Sequence, residues 1–256
     1  MPIPTYTFQP MTLKFQNLAF KTLTRLGSSN PSLVSQVLKS PNWPPNWPYT
    51  PADFTRQDES SDKYFYDGPR FCHHIDDPAR AALTSYYTSE LKPSDDVLDI
   101  CSSWVSHYPP HWSSTRTGKV VGLGMNLEEL KENTQLDSYD VKDLNEDPTL
   151  PYGDCSFDVV TCVVSVDYLN KPRSVFSEIS RVLRPGGRCV ISMSNRCFPT
   201  KAFSIWLRTS DLEHVFIVGS FFHYTEGQFM PPEGIDISPN PGRTDPMYVV
   251  KGVKKP

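Results

Sequence analysis

From residue 77 onward, short β-branched apolar segments alternate with segments of helical periodicity. The apolar segments predict strands at 96–101, 119–123, 139–143, 157–164 and 188–193, with helices between most of them. Strands that alternate with helices form right-handed βαβ units. This pattern therefore restricts the chain to an α/β fold, in which helices cover both faces of a mostly parallel sheet.

The helix that precedes the predicted strand at 188–193 has the clearest pattern. Residues 172–184 place one apolar stripe along a helix, formed by Val175, Phe176, Ile179, Val182 and Leu183. Pro185-Gly186-Gly187 then predicts a turn. Further helices are predicted over about 14 residues after Asp77 as the cap, near Asn126, with Leu127 and Leu130 inward, and at 200–209. Strands at 214–222 and 247–253 complete a seven-stranded sheet, and the last of them is expected to run antiparallel.

The N-terminal residues have a different composition. The chain contains 25 Pro but only 13 Gly, and prolines are dense before residue 60, where the sequence PNWPPNWP occurs. Because proline fixes φ and favours extended geometry in the preceding residue, residues 1–60 are predicted to form an arm with short helices at 12–26 and 31–39. Trp43 and Trp47 are interpreted as anchors of this arm on its own domain, and a protein partner for the arm is the alternative.

Charge and cysteine content exclude some classes of protein. A net charge of −4 does not favour nucleic-acid binding, and no apolar run reaches the length of a membrane span. Six cysteines without a Cys-x-x-Cys pair predict reduced thiols and no zinc site. A cytoplasmic location is expected, and an organelle such as a plastid stays open because 12–26 is basic and free of acids.

Two motifs carry a resemblance to a known family. The blocks Asp143-Leu-Asn-x-x-Pro-x-Leu-Pro-Tyr-x-x-x-Ser-Phe-Asp158 and Glu178-Ile-Ser-Arg-Val-Leu-Arg-Pro-Gly-Gly187 resemble class I S-adenosylmethionine-dependent methyltransferases with a type 11 domain. The resemblance implies a Rossmann-like domain over 77–256, a lid segment at 61–76, the cofactor S-adenosylmethionine and a small-molecule acceptor. A non-catalytic binding protein, or an enzyme that reuses the crevice with Cys101 or His107, is the alternative.

The resemblance also implies the cofactor-binding residues, and this sequence departs from the family at two places. The family has an Asp-x-Gly-x-Gly-x-Gly loop after the first strand, whereas Cys101, Ser103 and Val105 stand at the glycine positions here. Gly124 stands where the family has an acidic residue for the ribose, and Asn126, Glu128 or Glu129 could replace it. The predicted cofactor-binding residues are Asp99, Cys101, Ser102, Ser103, Met125, Asn126, Asp143, Leu144, Asn145 and Val163.

The lid segment supplies the predicted catalytic residues Tyr66, Arg70 and His74. Arg70 suits a carboxylate or phosphate, because its planar guanidinium can bind such a group through two hydrogen bonds. His74 could take a proton from a nucleophile. The alternative is structural, with Arg70 paired to Asp76 or Asp99 and His74 capping a turn.

Overall fold

A computed structural model describes residues 32–256, so the predicted helix at 12–26 lies outside the described residues. Seven strands form a single sheet in the order β3-β2-β1-β4-β5-β7-β6. The strands are β1 (Val97–Ser102), β2 (Val120–Gly124), β3 (Ser138–Val141), β4 (Phe157–Val163), β5 (Leu183–Met193), β6 (Glu233–Asp236) and β7 (Tyr248–Val253).

The sheet is parallel from β3 to β5 and antiparallel at the β7–β6 edge. β1 pairs in parallel with β2 and β4, and β4 pairs in parallel with β5. β7 runs antiparallel between β5 and β6, which confirms the predicted direction of the last strand. The order of the parallel strands reverses between β1 and β4, and this reversal is where open α/β sheets bind their ligands.

Helices precede or connect the strands. They are α1 (Leu33–Lys39), α2 (Asp62–Phe65), α3 (Asp77–Glu90), α4 (Trp112–Thr115), α5 (Leu127–Glu132), α6 (Pro172–Val182), α7 (Ser204–Leu207) and α8 (Asp211–His223). None of the helices among residues 32–256 is long and apolar enough to cross a membrane.

Two buried clusters lie on opposite faces of the sheet. Alternate residues of β1 point to opposite sides, so Leu98 packs with α6 and α8 while Val97 packs with α3. The predicted stripe of α6 is confirmed, since all five of its residues are fully buried. The predicted turn at 185–187 lies within the irregular first part of β5, where the φ of Gly186 is 75°, in the left-handed region.

The predicted strand at 214–222 is wrong, because these residues belong to helix α8. A mostly apolar run of nine residues is compatible with a buried strand and also with a helix that is buried on every side. The arrangement at the start of α8 decides for a helix, since the Glu213 carboxylate accepts hydrogen bonds from both the backbone N–H and the hydroxyl of Ser210. The antiparallel partner of β7 is instead β6.

Three local expectations also need correction. Leu127 was expected to face inward but is 45% exposed, whereas Leu130 is fully buried. The cap of α3 is Asp76 rather than Asp77, because the Asp76 carboxylate accepts the backbone N–H of Ala79. The helix predicted at 200–209 is reduced to the single turn of α7.

The described part of the arm packs against α8. The Trp43 ring stacks on His223, with 4.8 Å between ring centroids, and Trp47 contacts Phe54 and Phe221. Helix α1 begins at Leu33 with Ser32 as its cap, within the predicted helix at 31–39. The interpretation of the two tryptophans as anchors therefore agrees with the contacts they make.

Candidate functional site

A cavity of about 280 Å³ opens at the carboxyl ends of β1, β2 and β4, next to the point where the strand order reverses. The loops that follow these strands and the segment 62–74 line it. All of the site residues predicted from the sequence lie in its wall: Tyr66, Arg70, His74, Asp99, Cys101, Ser102, Ser103, Met125, Asn126, Asp143, Leu144, Asn145 and Val163. The fold therefore brings them together, and their roles stay predictions.

In the loop after β1, Cys101 has a backbone conformation that usually requires glycine. The register of β1 on β2 shifts between Ile100 and Ser102, so Cys101 is an extra residue in a bulge. The φ of Cys101 is 54°, in the left-handed region that favours glycine. The side chain of Cys101 consequently enters the wall of the cavity, at a position where a glycine would leave room.

The same bulge explains why β2 ends in a glycine rather than an acid. A Cβ atom placed on Gly124 would lie 2.1 Å from the carbonyl oxygen of Ser102. Any side chain at this position would collide with backbone. The substitution of Gly124 for the family's acidic residue is thus a packing requirement of this particular loop.

The Asp99 carboxylate organises the site through three hydrogen bonds. One oxygen accepts the hydroxyls of Ser102 and Ser106, at 2.8 and 2.7 Å, and the other accepts the hydroxyl of Thr161 at 2.9 Å. Burial raises the pKa of Asp99 to about 6, although these three hydroxyls oppose the shift. Asp99 therefore holds the loop after β1 in place.

The two predicted asparagines have their amides engaged within the protein. The Asn126 oxygen caps α5, and its nitrogen donates to the carbonyls of Tyr66 and Asp67. The Asn145 nitrogen donates to Asp62 and to the carbonyl of Tyr168. These bonds join the segment 62–67 to the loops after β2 and β3, so both residues assemble the wall of the cavity.

Glu129 is the carboxylate that reaches the cavity near the end of β2. Its side chain is 7% exposed. One oxygen accepts the backbone N–H of Arg70 at 2.7 Å, and the other accepts the Ser103 hydroxyl at 2.6 Å. Asn126, Glu128 and Glu129 were the three candidates to replace an acidic residue at position 124. Asn126 is engaged as the cap of α5, and Glu128 is exposed and does not line the cavity, so Glu129 is the remaining candidate.

The loop after β3 contributes a second carboxylate. One oxygen of Asp143 accepts the backbone N–H groups of Asn145 and Glu146, which fixes the turn. Leu144, 4% exposed, places apolar surface in the same wall. Met125 and Val163 line the cavity and are half-buried.

Arg70 does not pair with Asp76 or Asp99, as the structural alternative would have it. Its guanidinium lies 4.4 Å from the centroid of the Phe65 ring and donates to the Phe65 carbonyl. Its second terminal nitrogen is buried and has no hydrogen-bond partner among residues 32–256. In this arrangement Arg70 shapes the segment 61–76 from within.

His74 and Tyr66 present the groups that could act on an acceptor. Burial is the main cause that lowers the pKa of His74, with Arg70 adding to it and Glu129 opposing it, so the imidazole is neutral near pH 7. Burial likewise raises the pKa of Tyr66, whose phenol stays protonated. A neutral imidazole accepts a proton and a phenol donates a hydrogen bond.

A second group of aromatic side chains lies at the rim of the cavity. The ring of His73 stacks on Trp104 with 4.7 Å between centroids and lies 6.3 Å from His107. Burial lowers the pKa of His107 to about 4. Within residues 32–256, no group of three histidine, cysteine or acidic side chains is arranged to hold a metal ion.

The loop after β5 also lines the cavity, although none of its residues was predicted from the sequence. Arg196, Cys197 and Phe198 line the cavity, and Phe198 packs edge-on against His74 at 5.1 Å. The backbone N–H of Phe198 donates to the hydroxyl of Tyr168, another lining residue. Their position just after the carboxyl end of a parallel strand is a signal that could have identified them.

A buried ionic cluster fixes residues 56–62. Lys201 has no exposed surface, and its ammonium lies 3.1 Å from Asp62 and 3.0 Å from Asp58. Both oxygens of Asp62 also accept the Arg56 guanidinium. This cluster connects the loop after β5 to residues 56–62, at one side of the cavity.

Part of the chain is similar to known methyltransferases. A model of the methyltransferase domain family matches residues 105–191. The demethylmenaquinone methyltransferase of Renibacterium salmoninarum is 31% identical over 101 residues, which are 39% of this chain and 41% of that protein. The match thus spans less than half the length of this curated relative.

The Haloferax volcanii structure below supports the fold, and a second solved structure is similar over most of its length. A chain of a Haloferax volcanii complex that contains the Trm112 methyltransferase activator is 16% identical, with a TM-score of 0.51 over 70% of this chain and 90% of that one. An S-adenosylmethionine-dependent methyltransferase of Aquifex aeolicus is 18% identical, with a TM-score of 0.49 over 70% and 94%.

The sheet order and the placement of the cavity define a Rossmann-like α/β domain, the fold that it shares with the Haloferax volcanii chain. The match of the family model makes residues 105–191 similar to a methyltransferase domain.

Proposed function

We propose that this chain is an S-adenosylmethionine-dependent methyltransferase that acts on a small-molecule acceptor. The observation that carries the proposal is the cavity itself, which lies at the carboxyl ends of β1, β2 and β4 under the segment 62–74. The methyltransferase domain and the methyltransferase relative support the same activity.

The groups that line the cavity fit the cofactor. Leu144, Met125 and Val163 offer apolar surface for an adenine ring, and the Glu129 and Asp143 carboxylates can accept hydrogen bonds from sugar hydroxyls and amino groups. The backbone of the loop after β1 is set by the bulge at Cys101 and by the bonds to Asp99. When bound, S-adenosylmethionine supplies an electrophilic methyl carbon.

The chain contributes alignment, exclusion of water and a proton acceptor. Residues of the segment 61–76 line the cavity, and Glu129 and Asn126 make hydrogen bonds to its backbone. Alignment of two reactants and removal of water are the main ways a protein accelerates a displacement of this kind. Neutral His74 can take the proton of an acceptor hydroxyl, and the Tyr66 phenol can orient the same oxygen.

The relative and the size of the cavity support a small-molecule acceptor. A cavity of about 280 Å³ suits small molecules rather than a macromolecule. The relative's name gives demethylmenaquinone as its acceptor. We infer an acceptor with a ring of similar size for this chain.

Calorimetric titration with S-adenosylmethionine and S-adenosylhomocysteine tests the proposal. Binding of both ligands, followed by transfer of a labelled methyl group to demethylmenaquinone or a related ring compound, is the expected result. An absence of heat at millimolar ligand would contradict it. That result would favour the alternative, a non-catalytic binding protein. The hydrogen bonds that engage the amides of Asn126 and Asn145 within the protein support the same alternative.

A further inference from the structure

We infer that Glu129 is the carboxylate that accepts the ribose hydroxyls of the cofactor, and that it links cofactor binding to the lid segment 61–76. The inference rests on the proposed function and assigns a diol-binding role to a residue on α5. The usual position for such an acid, the end of β2, is closed here.

The first step is the exclusion of Gly124. The carbonyl of Ser102 occupies the space that a side chain at this position would need, at 2.1 Å from a Cβ atom. The bulge at Cys101 places that carbonyl there. A side chain at position 124 therefore cannot contact a ligand in this cavity.

The second step is the position of Glu129. It lies in the first turn of α5, which begins three residues after β2, and its side chain lines the cavity. Asn126 holds this turn in place by accepting the backbone N–H groups of Glu128 and Glu129. Glu129 thus approaches the same region of the cavity from the next element of the chain.

The third step is the bonding capacity of the carboxylate. Two carboxylate oxygens have about four acceptor sites in total. Arg70 N–H and the Ser103 hydroxyl each use one of them, at 2.7 and 2.6 Å. The remaining two sites, one on each oxygen, suit a pair of neighbouring hydroxyls such as the 2′ and 3′ hydroxyls of a nucleoside.

The existing bonds of Glu129 explain the link to the lid. Arg70 belongs to the segment 61–76, and Ser103 belongs to the loop after β1 that replaces the glycine loop. One carboxylate therefore joins the lid, the cofactor loop and, in this proposal, the sugar. A ligand on Glu129 stabilises the position of Arg70 and of the lid around it.

The test combines a substitution of Glu129 with a ligand that lacks the ribose hydroxyls. Wild-type protein is titrated with S-adenosylhomocysteine and with its 2′,3′-dideoxy analogue, and we expect the analogue to bind about 10- to 100-fold more weakly. Glu129→Gln should lose about the same factor for S-adenosylhomocysteine, and it should bind the two ligands within about threefold of each other. Glu128→Gln removes the same charge from the neighbouring exposed residue and should behave as wild type.

Limited trypsin digestion reports on the lid. Lys63, whose side chain is 68% exposed, and Arg70 are cleavage sites within the segment. Saturating S-adenosylhomocysteine should slow cleavage there in the wild type and in Glu128→Gln, but not in Glu129→Gln. Equal protection in Glu129→Gln would overturn the link to the lid.

The outcomes separate this inference from the proposed function. If the wild type binds neither ligand, the methyltransferase proposal fails. If it binds S-adenosylhomocysteine and its dideoxy analogue equally, or if Glu129→Gln still discriminates between them, the diol role of Glu129 is overturned while the methyltransferase proposal stands. The wild-type comparison needs no variant, so a folding defect in Glu129→Gln cannot obscure it.

Discussion

Several side chains of this domain have unusual surroundings, and the buried carboxyl group of Asp167 is the clearest example. Its side chain is 2% exposed, and one of its oxygens is buried without a hydrogen-bond partner among the described residues. Burial raises the pKa of Asp167 to about 8, so the carboxyl is protonated in the folded protein at neutral pH. The unfolded chain releases this proton near pH 4.

Asp167 should make the protein less stable as the pH rises. Between about pH 4 and pH 8 the folded state holds a proton that the unfolded state has lost, so the free energy of unfolding falls by up to about 1.4 kcal/mol per pH unit. In Asp167→Asn this contribution disappears. Urea unfolding from pH 5 to pH 8 should show a smaller decline, or a rise, for the variant relative to wild type.

The histidines provide the internal check on this comparison. Burial lowers the pKa values of His74 and His107, so their contribution to stability grows as the pH rises and opposes that of Asp167. They are common to both proteins, and only the difference between the two curves reports on Asp167. Parallel curves would contradict the assignment.

Gly124 gives a second prediction at the scale of one residue. Gly124→Ala places a Cβ atom 2.1 Å from backbone, so β1 and β2 must separate locally. We expect the free energy of unfolding to fall by about 1–3 kcal/mol. Gly153→Ala is the matched control, because its Cβ would meet the Ser156 hydroxyl at an ordinary 3.4 Å. Urea denaturation of both variants measures the difference.

At the scale of elements, local patterns predicted the central strands and the amphipathic helix α6 but failed for a helix that is buried on nearly all sides. The β-branched runs gave β1, β2 and β4 to within about a residue, and the stripe of α6 was predicted and found. Helix α8 was predicted as a strand because it is buried on nearly all sides, so its apolar pattern lacks the period that distinguishes a helix.

The contact between the loop after β5 and residues 56–62 is an interaction between elements that sequence could not show. Lys201 and Asp62 are far apart in the chain and meet with no exposed surface on the lysine. Lys201→Met leaves the carboxylates of Asp58 and Asp62 short of a partner, and we expect a loss of about 3–5 kcal/mol of stability.

An exposed ion pair serves as the control for Lys201. Lys63 pairs with Glu146 at 3.3 Å, and both side chains are about two thirds exposed, at 68% and 65%. Lys63→Met should therefore change the free energy of unfolding by less than about 1 kcal/mol. Equal effects of the two substitutions in urea denaturation would mean that the buried cluster does not stabilise this side of the cavity.

At the scale of the molecule, the described part of the arm is packed into the domain. Val34, Leu38 and Phe54 belong to the same buried cluster as α6 and α8. The division into an arm at 1–60, a lid at 61–76 and a domain at 77–256 stays a prediction, as does a protein partner for the arm.

Ligand binding should stabilise the whole domain if the proposed function holds. At a concentration 100 times its Kd, S-adenosylhomocysteine adds about 2.7 kcal/mol, which raises the Tm of a domain of this size by about 5–10 °C. Homocysteine, which lacks the nucleoside, is the control ligand. Differential scanning fluorimetry makes the measurement, and an unchanged Tm with a saturating ligand would contradict specific binding to the folded state.

The sequence by itself determined the alternation of strands and helices, the turn at Gly186 and the stretch of chain from which the site is built. These features depend on side-chain period and on φ preferences, which are local properties of neighbouring residues. All of the predicted site residues reached one cavity, because the carboxyl ends of parallel strands meet at the same edge of the sheet.

Only the tertiary structure decided which of those polar groups remain able to bind a ligand. Asp99 is bonded to Thr161, and Asn145 to Asp62, across more than sixty residues of sequence. Glu129 bonds to Arg70 and Ser103 only when the fold brings α5, the segment 61–76 and the loop after β1 together. A hydrogen-bond partner that comes from a distant segment leaves no periodic trace in the sequence, and the fold alone shows whether a side chain is already satisfied.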